Sequence, residues 1–312
     1  MAIPFQGWKS FVSFFSAEHS QLFLKKQYQK QNLDQATQKD FDNCYTFLYY
    51  LEHGKIYYEQ AENAPLIVKP ILLFYGFVHL IKACILTVNP FYPETTSVLA
   101  HGVSTRKRKK QNYQFFYDEV KIQKNGLFPF MSETLFHMEQ LEGDKVTMEG
   151  LLKLIPELEE LFVEMEGQQI FATLNQNGNT ISIPDKILDH YHMTSNRLKE
   201  YLSTKFTSFA FENDSLDFNL MDPSLKKPAP LKYNLEKQVY AFPLFKSNFF
   251  HFPELLIHYL LLYNLSMIAR YETEWWGELT KMMPNRDYPF INSFLNITQQ
   301  KGPFLIYQYL MG

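Results

Sequence analysis

The stretch from Lys69 to Lys82, KPILLFYGFVHLIK, limits the fold of this chain more than any other. Its apolar heart, Ile71 to Ile81, is about half the roughly 20 residues that a bilayer span needs, and a lysine brackets it on each side. Such a segment escapes water only inside a protein core. The spacing of Leu73, Phe77, Leu80, Ile81, Cys84 and Ile85 predicts a helix over about 65–88 with one broad apolar face. Asn89-Pro90 ends it, because a residue before proline disfavours the helical region. A second such helix is predicted to begin at Pro253, a good first helical residue, and to carry Leu255, Leu256, Tyr259, Leu260, Tyr263 and Met267. Each helix buries its face best against the other, so the two chain ends should share a core.

Composition agrees with a globular body rich in rings. The 312 residues suffice for one large domain or two ordinary ones, and 46% apolar with 20% charged residues excludes a disordered chain. With 29 Phe and 20 Tyr the core must be built largely from rings, while 12 Gly is too few for a turn-rich all-β sandwich. The two cysteines, Cys44 and Cys84, fall inside helical patterns, which excludes a disulfide scaffold and fits a reducing compartment. The opening MAIPFQGWKSFVSFF lacks the basic region and cleavage site of a signal peptide, so a cytoplasmic location is expected. A net charge of −3 gives no overall pull toward nucleic acid or anionic lipid, although Arg106 to Lys110 form a basic run, RKRKK.

Elsewhere the pattern predicts a helix over 5–30 and another over 35–60, the latter with a stripe of Phe41, Cys44, Tyr45, Leu48 and Leu51 or Glu52. FFYDEVKI, Gln123-Lys124-Asn125-Gly126 and LFPF read as a β-hairpin. Residues 148–166 return to helix, broken at Pro156, and IFATLN and TISIP are two short strands. A polar connection follows over 213–238, and short helices are predicted at 270–279, 288–298 and 303–310. The expected fold is mainly α: a bundle from residues 1–100 and 250–312, with an α+β segment over 101–249 inserted between.

The chain lacks the glycine-rich phosphate loops, zinc-hydrolase, nucleophile-elbow and C-x-x-C signatures. His190 and His192, with Asp189, lack the companions a zinc site needs and read as surface histidines. His79 and His258 lie in apolar helices and read as core histidines, each with one hydrogen bond; a buried pair holding a ligand is the alternative. The RKRKK run is either a solvated loop or, with His101, Gly102, Ser104 and Thr105 before it, an anion cradle. Arg270 stands beside Tyr271, Trp275 and Trp276, where it could stack on a base or grip a carboxylate, or lock a helix corner in an internal Arg–Glu pair. No catalytic residue, metal or cofactor is expected.

KPILLFYGFVHLIKACILT, HGVSTRKRK, NGLFPF, MEGLLKLIPEL, HYLLLYNLSMIARYETEWWGEL and DYPFINSFL resemble the YaaC-like family of Gram-positive bacteria, from about residue 40 to the C-terminus. The first two stretches are also similar to the wider HEPN helical-bundle group, whose helices pack around nucleotide or RNA sites. That resemblance implies an HEPN-like bundle. Active HEPN ribonucleases place a histidine a few residues after an arginine; none of Arg106, Arg108, Arg197, Arg270 and Arg286 has one, and His101 precedes Arg106. In bacilli the YaaC-like gene tends to lie beside that of IMP dehydrogenase, so the resemblance implies a partner in guanine nucleotide metabolism.

The expected function is therefore a non-catalytic interaction or regulatory protein that binds a nucleotide or a protein partner such as IMP dehydrogenase. The alternative is an HEPN-type nucleic-acid-binding protein or ribonuclease. The expected site gathers Lys69, His101, Arg106, Arg270 and Tyr271 around an anionic group. Antiparallel pairing of the two apolar helices puts Lys69 and Arg270 at one end. The dozen or so residues after Val88 can carry His101 back along a helix of roughly 27 Å.

Overall fold

The computed structural model describes residues 5–31, 39–105, 113–178, 180–205, 216–219, 230–245 and 249–312. In chain order the helices are α1 (Ala17–Lys30), α2 (Lys39–Glu62), α3 (Lys69–Leu86), α4 (Leu127–Phe136), α5 (Met148–Leu152), α6 (Glu159–Glu166), α7 (Lys186–Tyr191), α8 (Ser195–Lys205), α9 (Glu254–Tyr271), α10 (Thr273–Met282) and α11 (Asp287–Met311). The strands are β1 (Val103–Thr105), β2 (Glu119–Ile122), β3 (Lys145–Thr147), β4 (Phe171–Thr173), β5 (Asn175–Asn177), β6 (Thr180–Ser182), β7 (Asp217–Asn219), β8 (Lys232–Asn234) and β9 (Val239–Pro243). The protein is mainly helical and divides into two compact units, residues 1–145 with 258–312, and residues 146–257. The first unit thus includes β1, β2 and α4 as well as the helices of both chain ends.

Glycine sets the spacing inside the first unit. A Cβ added to Gly76 of α3 would lie 2.8 Å from the Tyr58 ring and 2.9 Å from Tyr57 Cβ. One added to Gly54 of α2 would meet Leu80, with the Gly76 carbonyl at 3.2 Å. The bare backbones let α2 and α3 approach until Tyr58, fully buried, lies in the gap. Gly302 of α11 closes on the same ring from another side, where any Cβ would strike the Tyr58 hydroxyl. Gln299 Nε2 donates to the Tyr58 carbonyl at 2.7 Å and ties α11 to α2.

The two apolar helices face one another as their hydropathy demands. Phe74 of α3 packs edge-on to Tyr259 and Tyr263 of α9, with ring centroids 5.4 and 5.7 Å apart. From His258 to Arg270, α9 meets a single turn of α3: His258 lies near Phe77 and Arg270 bonds Tyr75, while Trp276 Nε1 of α10 donates to the carbonyl of Ile67, just before α3. His258 is buried and shares a 2.8 Å hydrogen bond with Thr298 of α11, as a core histidine does. Although α3 is long and apolar enough to cross a membrane, 67% of it is buried here, and it is the central helix of the bundle. Residues 113–119 are stapled on by two buried carboxylates. Asp118 accepts from Tyr113 and from Asn264 of α9, and Asp287 accepts from the Phe115 amide.

Three local expectations are corrected. The 123–126 segment is not a hairpin turn: β2 pairs with β1, and LFPF begins α4. The cause is Gly126, at φ 126°, whose backbone lies against that of Gly102 and leaves no room for a side chain on either. The buried stripe of α2 is Cys44, Phe47, Leu51, Gly54, Tyr58 and Ala61, which leaves Phe41 and Tyr45 57% and 45% exposed. A glycine at the helix crossing carries no hydropathy, so the pattern finds Cys44 and Leu51 but adds Phe41 and Tyr45 in place of Phe47, Gly54 and Tyr58. Residues 287–311 form one helix, not two. Pro303 removes one helical hydrogen bond, to the Gln299 carbonyl. Burial of Thr298, Gly302, Phe304 and Ile306 on both sides keeps the helix continuous.

In the second unit Pro156 starts a 3-10 turn and breaks the helix as expected. β4, β9 and β8 form one antiparallel sheet, and β5, β6 and β7 another, with Asn177 paired to Thr180. Lys232 is buried and donates to the Phe250 and Phe252 carbonyls at 3.0 and 2.7 Å. The connection over 213–238 is described only at 216–219 and from 230 onward, where it supplies β7 and β8.

Gly76→Ala should lower stability by about 1–3 kcal/mol through overpacking, measured by denaturant unfolding. Gly54→Ala should cost less, because the atom it meets first is the flexible end of Leu80. Two variants as stable as the parent would contradict the close approach. Burial, reinforced by the Lys301 ammonium, pushes the His258 pKa well below its ordinary value. The unfolded chain then takes up a proton near pH 6.5 that the folded chain refuses. The stability this gives is complete above that pH and is lost as the pH falls. The unfolding midpoint should fall between about pH 7.5 and 5.5, less steeply in His258→Gln; a flat or rising midpoint in the parent excludes a neutral buried ring.

Candidate anion-binding site

Tyr75, His79 and Lys82 recur at four and three residues along α3 and share one half-buried face of its otherwise apolar surface. The glycine crossing brings α2 alongside in the opposite direction. Tyr57 stacks on His79 at 5.8 Å and lies 6.4 Å from Tyr75. His53 meets His79 edge-on at 5.1 Å, and the Lys82 ammonium lies over the Tyr50 ring at 5.7 Å.

Arg270 reaches this face from the last turn of α9. Its Nη1 donates to the Tyr75 hydroxyl at 3.0 Å and its Nε to the Ser266 carbonyl at 3.1 Å. Its guanidinium lies over the rings of Tyr75 and Tyr271, 5.6 and 5.3 Å from their centroids. Among the described residues no carboxylate pairs with it; Glu272 and Glu274 both lie exposed.

His101 is placed by its backbone. Its carbonyl accepts from the Tyr259 hydroxyl at 2.8 Å and from the Phe128 amide at 3.1 Å. Gly102, at φ 77°, turns the chain directly into β1. The ring is thereby held among Phe74, Tyr263 and Tyr75, at 5.1, 5.6 and 6.2 Å. The chain after α3 does run back along that helix, as far as Phe74.

The charges here are of one sign. Burial, then Arg270, then Lys82 hold the His101 pKa below its ordinary value. Burial, Lys82 and His53 push that of His79 down to about 4. Burial alone lowers that of Lys82. His79 Nδ1 and the Tyr92 hydroxyl are buried with no hydrogen-bond partner among the described residues. Cations, neutral imidazoles and phenols with no carboxylate among them form a set of donors for an anion, not an acid–base pair with an ionised base.

Of the residues expected at the site, His101, Arg270 and Tyr271 come together. Lys69 does not join them: its ammonium donates to Asn296 of α11 at 3.0 Å, with Glu62 acting on it electrostatically. Arg106 and the rest of the RKRKK run lie outside the described residues. His190, His192 and Asp189 are exposed, and among the described residues no group of three metal-ligating side chains exists. Sequence reasoning missed Tyr75 and Lys82 and took His79 for a core residue. Their signal is the polar stripe at i, i+4 and i+7 on the most apolar helix of the chain.

No curated protein and no solved structure matches this chain. A family model described as YaaC-like protein matches residues 12–310, almost the whole length, and the chain belongs to that family.

Proposed function

We propose that the protein is a non-catalytic regulatory protein that binds an anionic nucleotide at the Arg270–His101 site. The observation that carries this reading is the convergence of Arg270, His101 and Lys82 with no carboxylate partner among the described residues. Unneutralised cations in a half-buried setting attract an anion far more strongly than surface charges do. The surrounding tyrosines can stack on a base. We take the bundle to be HEPN-like and the setting to be the cytoplasm. The ligand class is a purine nucleotide, with IMP dehydrogenase as partner, on the strength of the gene neighbourhood implied by the family. A second reading, an HEPN-type ribonuclease, draws on the proximity of a histidine to an arginine.

Isothermal titration with purine nucleotides should show binding that Arg270→Ala weakens about 10- to 100-fold, the loss of one charge-assisted contact. Lys69→Ala should leave it unchanged. Single-stranded RNA incubated with the protein without metal should stay intact. Cleavage that disappears in His101→Ala would instead establish the ribonuclease reading.

A further inference from the structure

Lys82 gives the site a second end. It lies seven residues beyond Tyr75 on α3, roughly 10 Å at 1.5 Å per residue. Arg270 occupies the Tyr75 end through its hydrogen bond to that hydroxyl. His101 lies between and feels both the guanidinium and the ammonium, while His79 feels Lys82 and His53. The cationic and ionisable groups thus follow the α3 face from Arg270 past His101 and His79 to Lys82, with His53 meeting His79 from α2. A single phosphate, held at about 2.8 Å from its donors, fills one end of such a strip and leaves the other unmatched. Building on the anion-site reading, we infer that the strip takes an extended polyanion, a nucleoside polyphosphate, with its phosphate chain along α3 from Arg270 toward Lys82.

The base belongs at the open end. Tyr271 lies against Arg270 and is 57% exposed, a platform on which a ring can stack. The buried donors deepen the other end, where His79 Nδ1 has no partner among the described residues. The groups facing the two imidazoles are Tyr50, His53 and Tyr57 from α2, Tyr75 and Lys82 from α3, and Tyr263 and Arg270 from α9. None is a carboxylate. Burial and the neighbouring cations lower the pKa values of His79 and His101 and so favour their neutral forms in the free protein. A polyanion laid beside them favours their charged forms, so binding takes up protons and tightens as the pH falls.

The test is titration calorimetry in magnesium-free buffer with orthophosphate, pyrophosphate, tripolyphosphate, GMP and GTP. Each is run in two buffers of different ionisation enthalpy to count protons. Affinity should climb at least about tenfold from mono- to triphosphate, about 1.4 kcal/mol, with net proton uptake. Lys82→Met should bring the triphosphate-to-monophosphate ratio close to one, and Lys69→Ala should preserve it. Unfolding midpoints equal to the parent's show that both variants are folded. Equal affinity for phosphate and tripolyphosphate, unaltered by Lys82→Met, overturns the polyphosphate assignment and leaves the anion site standing. Absence of binding by all five probes overturns both.

Discussion

Everything in the first unit depends on the distance between α2 and α3, and two missing side chains set that distance. Gly54 and Gly76 let the helices close until the Tyr57 and Tyr58 rings fill the crossing. Dispersion contacts fall off steeply with separation, so a gap of even a methyl group would be costly. The same crossing sets the register in which Tyr57 meets Tyr75, His53 meets His79 and Tyr50 meets Lys82. The candidate site is a by-product of core packing: residues one helical turn apart on two facing helices can form a common wall only when the backbones are this near. Gly302 extends the constraint to α11, which closes around the same phenol.

Across the bundle α9 is held differently, by large rings. Phe74, Tyr259 and Tyr263 separate α3 from α9 by the thickness of aromatic side chains. That wider spacing admits the His101 ring between the helices, and the Tyr259 hydroxyl fastens the loop that carries it. One side of α3 is pressed tight by glycines and the other held open by rings. The cations gather along the seam where the two regimes meet. Their mutual repulsion opposes folding, and the phenol and carbonyl contacts of Arg270 offset part of it.

Much of this was legible in the sequence, for a specific reason. The two apolar helices announce themselves through uninterrupted hydrophobicity, and their need for one another follows from it; Phe74 against Tyr259 is the outcome. Arg270 and His101 could be brought together by chain geometry alone, since the segment after α3 is long enough to return. What hydropathy cannot express is a contact made by the absence of a side chain. Gly54 displaced the expected stripe of α2, and the Gly102–Gly126 contact turned an expected hairpin into a helix start. Lys69 was misplaced for another reason. It begins α3 as expected, but a long side chain chooses among neighbours by local hydrogen bonding, and Asn296 is near to hand. The polar residues of α3 were visible and undervalued, because a helix so apolar invites attention to what it buries.

The corner after α9 has an optical consequence. Trp276 is sealed in the core with its indole bonded to the Ile67 carbonyl, and Trp275 lies half-buried, edge-on to Tyr113 at 4.4 Å. Both follow Arg270 within about two turns, whereas Trp8, the third indole of the chain, lies tilted against Phe11 and edge-on to Tyr58. The chain therefore carries two indoles beside its cationic seam, Trp275 half-buried and Trp276 sealed in the core. A disturbance of the α9 terminus would register in the ultraviolet emission of these indoles without any label.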